Sequence, residues 1–152
     1  MPLERIGYAG KTGKLDSYQN PIVRVFTGTN QAANTEVTET VPTGKLWLLQ
    51  SVNVTLVQGA TQTPLPNLVI TDGTNTLFTF PGLSSAMNAS VTCALKWGQY
   101  LTLSAGGANT SATAPIPGFL YLPEGFKITT VTTGIGANSD YGAPIITVIE
   151  YS

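Results

Sequence analysis

The stretch from Val41 to Val57, VPTGKLWLLQSVNVTLV, constrains the fold more than any other part of the chain. It opens with the turn Val41-Pro42-Thr43-Gly44, in which proline sets φ at the second position and glycine closes the turn. From Ser51 onward, apolar and polar residues alternate, which is the period of a strand with one buried face. The run from Leu46 to Leu49 is apolar throughout, which predicts a strand covered on both faces. We therefore expect the rest of the chain to pack as strands around this one.

The composition agrees with an all-β domain. The sequence is 42% hydrophobic, which is ample for a core, but only 10% charged, far below the roughly 25% of an ordinary soluble domain. Threonine, serine, asparagine and glycine replace the missing charge, and threonine suits a half-exposed sheet. No window of a dozen residues has helical spacing. The sequence predicts one all-β domain of about eight to ten short strands.

Several classes of function are excluded or disfavoured by what the sequence lacks. The net charge is −1 and no basic patch stands out, which argues against nucleic-acid binding. No run approaches the roughly 18 apolar residues of a membrane span, and the N-terminus lacks the apolar segment of a signal peptide. The absence of histidine rules out Ser-His-Asp triads, imidazole bases and the histidine-held metal of a catalytic cupin. We expect no catalytic, metal or cofactor site and no enzymatic activity.

Residues 1–21 are distinct from the remainder, which we assign to one β-domain spanning 22–152. Five of the chain's fifteen charged residues lie among three glycines here, and no hydrophobic period emerges. This pattern predicts an extended arm, and twenty residues at roughly 3.3 Å each could reach tens of ångströms. The arm is either a tether on a neighbouring subunit or partner, or a frayed terminus. As a tether, its predicted contact residues are Arg5, Tyr8, Lys11, Lys14 and Tyr18.

The other strands are predicted from short β-prone runs. The clearest hairpin signal is Asp72-Gly73, a pair suited to positive φ, between Leu68–Ile70 and Leu77–Phe80. A loop at 105–117, rich in Gly, Ala, Ser and Thr, is long enough to be mobile or to bind something. The remaining predicted elements are a first core strand at Ile22–Phe26, a strand at Thr35–Val41, a hairpin-like pair at Ala89–Leu95 and Gln99–Ser104, and strands at Lys127–Thr133 and Ile145–Tyr151.

A second apolar-Pro-x-Gly turn, Leu122-Pro123-Glu124-Gly125, repeats the one at Val41–Gly44. Each turn is followed by a β run. The repeat suggests two related halves of the chain, which suits a sandwich of two sheets.

The acidic residues do not form an obvious catalytic pair. Glu36 and Glu39 are three apart, so on a strand they face opposite sides and are expected to be solvated edge charges. Asp140 and Glu150 stand isolated in the sequence. Asp72-Gly73-Thr74-Asn75 carries oxygens that suit calcium, but its place between two strands explains it as a turn.

Three other side chains have competing interpretations. Trp47 lies in the most apolar run and is expected in the core. Trp97, beside Gly98 and Tyr100, is either a surface platform for a ligand or a core anchor at a hairpin tip. The single cysteine, Cys93, excludes an internal disulfide and is expected to be a small buried hydrophobe.

Three segments resemble small structural proteins of tailed bacteriophages, in particular the jelly-roll capsid decoration or cement proteins. They are VPTGKLWLLQSVNVTL, LVITDGTNTLF and LPEGFKITTVTTGIGANSDYGAPIITVIEY, which together span roughly Pro42 to Tyr151. The resemblance implies a two-sheet jelly-roll sandwich that is made in the host cytoplasm and assembles as a homotrimer. It also implies a place on the outer surface of the virion, where such proteins bridge neighbouring major capsid proteins and stabilise the shell.

Two other functions remain open at this stage. A receptor- or glycan-binding module of a head or tail fibre could share the fold, with Trp97, Tyr100 and the 105–117 loop as its site. A carboxylate-based glycosidase would need two acids about 5 to 10 Å apart on one face, and the scattered acids of this chain disfavour it.

Overall fold

The computed structural model describes residues 21–152, so the predicted arm and its five contact residues lie outside the described residues. The described residues form eleven strands. These are β1 (Ile22–Thr27), β2 (Thr38–Thr40), β3 (Leu46–Val57), β4 (Leu65–Thr71), β5 (Thr76–Pro81), β6 (Thr92–Gly98), β7 (Ser111–Pro115), β8 (Tyr121–Leu122), β9 (Lys127–Thr133), β10 (Asp140–Tyr141) and β11 (Ile145–Tyr151).

Strand β3 is the central strand, as its sequence predicts. It pairs with β11 along one side and β6 along the other, and the short strands β8 and β10 pair with its two ends. The pairing with β11 shifts register between Thr147 and Val148, which leaves Gln50 as an extra residue on β3. This bulge changes which residues point inward: the inward residues are Trp47 and Leu49 before it, and Val52, Val54 and Leu56 after it. The break in the sequence alternation therefore marks a real irregularity of the strand.

The strand order is that of a jelly roll. One sheet has seven strands, with β1-β11-β3-β6-β7 as its main path, and the other has four in the order β2-β9-β4-β5. Setting aside β7, β8 and β10 and numbering the rest along the chain gives the orders 1-8-3-6 and 2-7-4-5. This alternation between two sheets is the double Greek key of a jelly roll. The predicted two-sheet jelly-roll sandwich is confirmed.

The β4–β5 hairpin is also confirmed, and its turn is held by one side chain. Asp72 Oδ1 accepts hydrogen bonds from the N–H groups of Thr74 (2.8 Å) and Asn75 (2.6 Å). Asp72 Oδ2 accepts a third from the Asn75 side-chain amide (3.1 Å). Gly73 has a φ of +96°, which a residue with a side chain rarely adopts. The oxygens that suited calcium in the sequence are thus used within the turn.

The two apolar-Pro-x-Gly turns lie against each other and join the halves of the chain. Gly125 N–H donates to the Val41 carbonyl (3.0 Å), and Val41 N–H donates to the Phe126 carbonyl (2.8 Å). Gly44 N–H donates to Glu124 Oε2 (2.6 Å). Gly44 and Gly125 both have positive φ, at 75° and 82°. The repeated motif therefore forms one paired structure in which each turn supplies partners to the other.

The core lies between the inner faces of the two sheets. Trp47 and Cys93 are both buried there, as predicted. Burial raises the pKa of the Cys93 thiol, so this group stays protonated and behaves as a hydrophobe.

Two of the strand predictions are wrong. The segment Ile22–Phe26 is a strand, but β1 is an exposed edge strand and not a core strand. The segment Gln99–Ser104 forms no strand, because Tyr100 takes a positive φ of 60° and turns the chain away from β6. The neighbour of β6 is instead β7, which comes from the predicted loop at 105–117 and pairs in parallel.

Candidate functional site

Trp97 and Tyr100 have opposite environments although they are three residues apart. Trp97 has no exposed surface, and its indole N–H donates to the Phe80 carbonyl (3.2 Å). It is therefore a core anchor, and the structure does not support it as a platform for a ligand. Tyr100 is 95% exposed and remains available to a partner.

The segments that carry Tyr100 and Phe119 lie beside each other, and we call these two exposed side chains the aromatic end. Phe119 is 85% exposed, and the Tyr100 hydroxyl lies 4.0 Å from the position that a Cβ on Gly118 would occupy. Gln99 connects the two segments, because its side-chain amide donates to the carbonyls of Leu49 (3.3 Å) and Gly118 (3.4 Å). The sequence prediction included Tyr100 but missed Phe119, whose only signal is its place after Pro117-Gly118 in a turn.

The loop predicted as a binding segment contributes the five-residue strand β7 to the sheet. Residues Ala112 and Ala114 of β7 face the core and are buried. The adjoining segment is tied to β7, since Ser104 N–H donates to the Thr113 carbonyl (2.9 Å) and Thr113 N–H donates to Ser104 Oγ (3.1 Å). Small side chains alternate here between core and surface, so the apolar signal of a strand is weak in the sequence.

A shallow groove of about 290 Å³ crosses the outer face of the seven-stranded sheet. The small side chains of Ala94 and Ser111 leave space at the bottom of the groove, and Lys96 is the only charged residue among those that line it. Strand register places its outward residues in two rows across the sheet. One row is Ile145, Asn53, Lys96 and Thr113, and the other is Thr55, Ala94 and Ser111. The groove therefore presents hydroxyl, amide and ammonium groups without an aromatic platform.

The outer face near β1 is apolar. Val23 and Val25 are 68% and 65% exposed, and they pair with Ile149 and Thr147 on β11. Further along the same face, the rings of Tyr121 and Tyr151 lie 6.3 Å apart. This surface was missed from the sequence, because an apolar run such as IVRVF reads as a core strand.

Glu150 is a buried carboxylate at the centre of a cluster of partly exposed cations, although it looked isolated in the sequence. Its carboxylate accepts a hydrogen bond from the Trp47 indole N–H (3.1 Å). The same carboxylate pairs with Arg24 Nε (3.0 Å) and Lys45 Nζ (3.3 Å). The cluster joins β1, β3 and β11, and its cationic partners balance the carboxylate, so its evident role is structural.

Glu36 and Glu39 are not the solvated edge charges that their spacing predicts. Glu36 accepts hydrogen bonds from the Thr130 hydroxyl (2.6 Å) and from the N–H (2.6 Å) and hydroxyl (3.0 Å) of Thr132. The Thr132 hydroxyl also lies 2.6 Å from the Tyr141 hydroxyl, and burial raises the pKa of Tyr141. Glu39 accepts from the N–H of Thr29. Both carboxylates hold the fold together.

Within residues 21–152, no group of three or more acidic, cysteine or histidine side chains is placed to hold a metal ion. The same part of the chain contains no helix long and apolar enough to span a membrane. The surfaces that the structure offers for binding are therefore the aromatic end, the polar groove and the apolar face near β1.

Comparison with known proteins gives one distant structural likeness. No family model matches the sequence, and no curated protein sequence matches it. The fold is similar to a chain in the structure of infectious bursal disease virus, Gx strain, with a TM-score of 0.39 and 10% sequence identity. The alignment covers 87% of this chain and 34% of that one, so this chain spans about a third of the length of the viral chain.

Proposed function

We propose that this chain is a structural protein of a virion, and specifically a capsid decoration protein of a bacteriophage that binds the outside of the head. The observation that carries the proposal is the apolar surface of the sandwich. Twelve large hydrophobic residues are exposed in the described part of the chain. Only 10% of the residues of the chain are charged. Exposed apolar side chains grouped in patches mark surfaces that bind other proteins.

The partner in this proposal is the major capsid protein in its assembled form. A ligand that binds only the assembled shell stabilises it by mass action, with no chemical step. The jelly roll suits this role because its two sheets pair eleven strands within one sandwich. The protein would reside on the outer surface of the capsid and act without enzymatic activity or a cofactor.

The trimeric assembly implied by the resemblance is a separate prediction. Light scattering from the purified chain tests it directly. A homotrimer would give three times the chain mass of 15.9 kDa. Another mass would remove the trimer from the proposal without affecting attachment to the shell.

A second candidate, a glycan-binding module of a head or tail fibre, is favoured by the exposed rings of Tyr100 and Phe119. Aromatic faces of this kind stack on sugars, and the two rings lie on segments joined by Gln99. This candidate predicts saturable binding to a defined saccharide and loss of that binding in Tyr100→Ala.

The test of the main proposal is binding to empty heads assembled from the major capsid protein of the same virus. Saturable co-sedimentation with heads, and a higher temperature of head disruption when the protein is bound, are expected. Unassembled capsid protein serves as the control and should bind far less. Absence of co-sedimentation at any concentration would reject the decoration role, and a glycan array with Tyr100→Ala as the control variant would then test the fibre module.

A further inference from the structure

We propose that the edge of β1 that stays unpaired within residues 21–152 pairs with the same edge of a second copy of this chain, which joins two sandwiches through a continuous sheet. The inference goes beyond attachment to a shell and does not depend on it. It rests on the exposure of β1, on the direction of its main-chain groups and on a pairing register that its residues select.

The main-chain groups of alternate β1 residues point away from the sheet. Gly28 N–H donates to the Pro144 carbonyl (2.7 Å), in the same register as the β1–β11 pairs. Main-chain groups alternate in direction along a strand, so those of Val23, Val25 and Thr27 point to the free edge. No strand among residues 21–152 pairs with that edge. By contrast, the N–H of Thr29, the next group along the same edge, is bound by Glu39.

Strand β1 lacks most of the features that protect natural sheet edges. Proline, bulges, short length and charged side chains, including inward-pointing ones, normally keep edge strands apart. The six residues of β1 contain no proline and pair with β11 without a register shift. Its single charge, Arg24, lies on the face towards the other sheet, where it pairs with Glu150 at 3.0 Å while its side chain stays 53% exposed. The edges at β2, β5 and β7 differ, since β2 has three residues and the other two end in proline.

The alternation of inward and outward side chains, together with charge, favours one register for two β1 strands that pair antiparallel. Directly opposed residues in an antiparallel sheet share a face, so a continuous sheet requires outward residues to face outward residues. A two-fold axis at Arg24 would oppose two like charges. An axis at Val25 places Val25 opposite its own copy, Val23 opposite Thr27, and Arg24 opposite Phe26. In that register the free main-chain groups face one another, and the exposed Val25 side chains of both copies meet between two Val23–Thr27 pairs.

The expected product is a reversible dimer. A single strand pair covers less than the roughly 1,200 Å² of a stable interface, so the dimer population should rise with concentration. The sheet of the dimer would leave neither β1 edge free, which removes an aggregation hazard.

The test is a sedimentation and light-scattering series on the full chain over a wide concentration range. This two-fold pairing predicts a dimer and not the homotrimer that the resemblance implies, so we expect the mass to rise from 15.9 kDa towards twice that value. Val25→Pro removes the central N–H without breaking the bonds to β11, and should weaken the dimer by about tenfold or more. Thr79→Pro is the matched control, because its N–H points to the free edge of β5 in the same way. This control should leave the dimer intact.

A second pair of variants covers the case in which a proline variant fails to fold. Val25→Lys opposes two ammonium groups at the axis, while Val131→Lys adds the same charge on the outer face of the other sheet, where Val131 is half-exposed. Hydrogen exchange measured at high and low protein concentration should show protection of the amides of Val23, Val25 and Thr27 only in the dimer.

A chain that stays monomeric, a trimer unaffected by either Val25 variant, or equal weakening by variant and control would each overturn the proposal. Binding of the same variants to heads reports separately on the decoration role.

Discussion

At the scale of single residues, burial assigns different roles to Trp97 and Tyr100, the aromatic side chains on either side of Gly98-Gln99. Trp97 fills the core between the sheets, and Tyr100 projects into solvent. We expect Trp97→Ala to lower the free energy of unfolding by about 3–5 kcal/mol, because it removes a fully buried aromatic ring. Tyr100→Ala should change it by less than about 0.5 kcal/mol. Urea unfolding followed by circular dichroism measures both. A small effect of Trp97→Ala would place that ring outside the core.

A second prediction at this scale concerns the pH dependence of the Asp72 turn. Hydrogen bonds from the main-chain N–H groups of Asn75 and Thr74 lower the pKa of Asp72 below its ordinary value of 3.8. A carboxylate whose pKa is lower in the folded state stabilises the fold above its unfolded pKa, and this effect is lost as pH falls through the folded pKa. We expect Asp72→Asn to lower the melting temperature at pH 7, with a gap to wild type that narrows below about pH 3.8.

The matched control for this titration is Gly73→Ala in the same turn. It strains a position with φ of +96° but removes no titrating group. Its melting temperature should therefore differ from wild type by a similar amount at pH 7 and at pH 3. If the Asp72→Asn gap were also constant with pH, the carboxylate charge would not contribute to the turn.

At the scale of elements, the Glu150 cluster fastens the exposed strand β1 to the sandwich. Arg24 of β1 reaches the carboxylate on β11, which also receives the Trp47 indole N–H from β3. We expect Glu150→Gln to cost about 1–3 kcal/mol, because it removes the charge from this set of hydrogen bonds. Hydrogen exchange of the β1 amides should accelerate more than that of β9. Lys96→Gln, an exposed change, is the control and should have little effect.

The same scale shows which elements a sequence can specify. Strand β3, the β4–β5 hairpin and the strands at Lys127–Thr133 and Ile145–Tyr151 were predicted because their signals are local: alternation, turn residues and β-branched side chains. Strand β7 was missed because its inward residues are alanines, and its parallel pairing with β6 depends on contacts distant in the chain. The break in alternation at Gln50 is visible in the sequence, but the bulge that causes it depends on pairing with strand β11.

The candidate binding surfaces were harder to predict for the same physical reason. A strand is exposed when it forms the edge of a sheet, and the edge is decided by which strands pair across the whole fold. The run IVRVF is as apolar as a core strand, yet β1 lies outside β11. Glu150 required three partners from elsewhere in the chain, so no local pattern could reveal its role. Tyr100 was identified from its position near a glycine, whereas Phe119 carried no comparable signal.

At the scale of the whole molecule, the division between arm and sandwich leads to the last prediction. The core cluster and both sheets are built from residues within 21–152. Deletion of residues 1–20 should therefore leave the β-sheet circular dichroism spectrum unchanged and lower the melting temperature little. If the arm is a tether, occupancy of heads should fall sharply, because linking two contacts raises the effective concentration of the second.

Replacing particular side chains of the arm tests whether specific contacts, and not merely the presence of twenty more residues, attach the protein to the head. Arg5, Lys11 and Lys14 provide the basic charge of the arm, and Tyr8 and Tyr18 its aromatic rings. Replacing the three basic residues by glutamine should weaken attachment mainly at low salt, because exposed charges are screened as ionic strength rises. Replacing the two tyrosines by serine should weaken it at all salt concentrations. Full occupancy after deletion of the whole arm would assign attachment to the surfaces of the sandwich alone, with the aromatic end around Tyr100 as the first to be mutated.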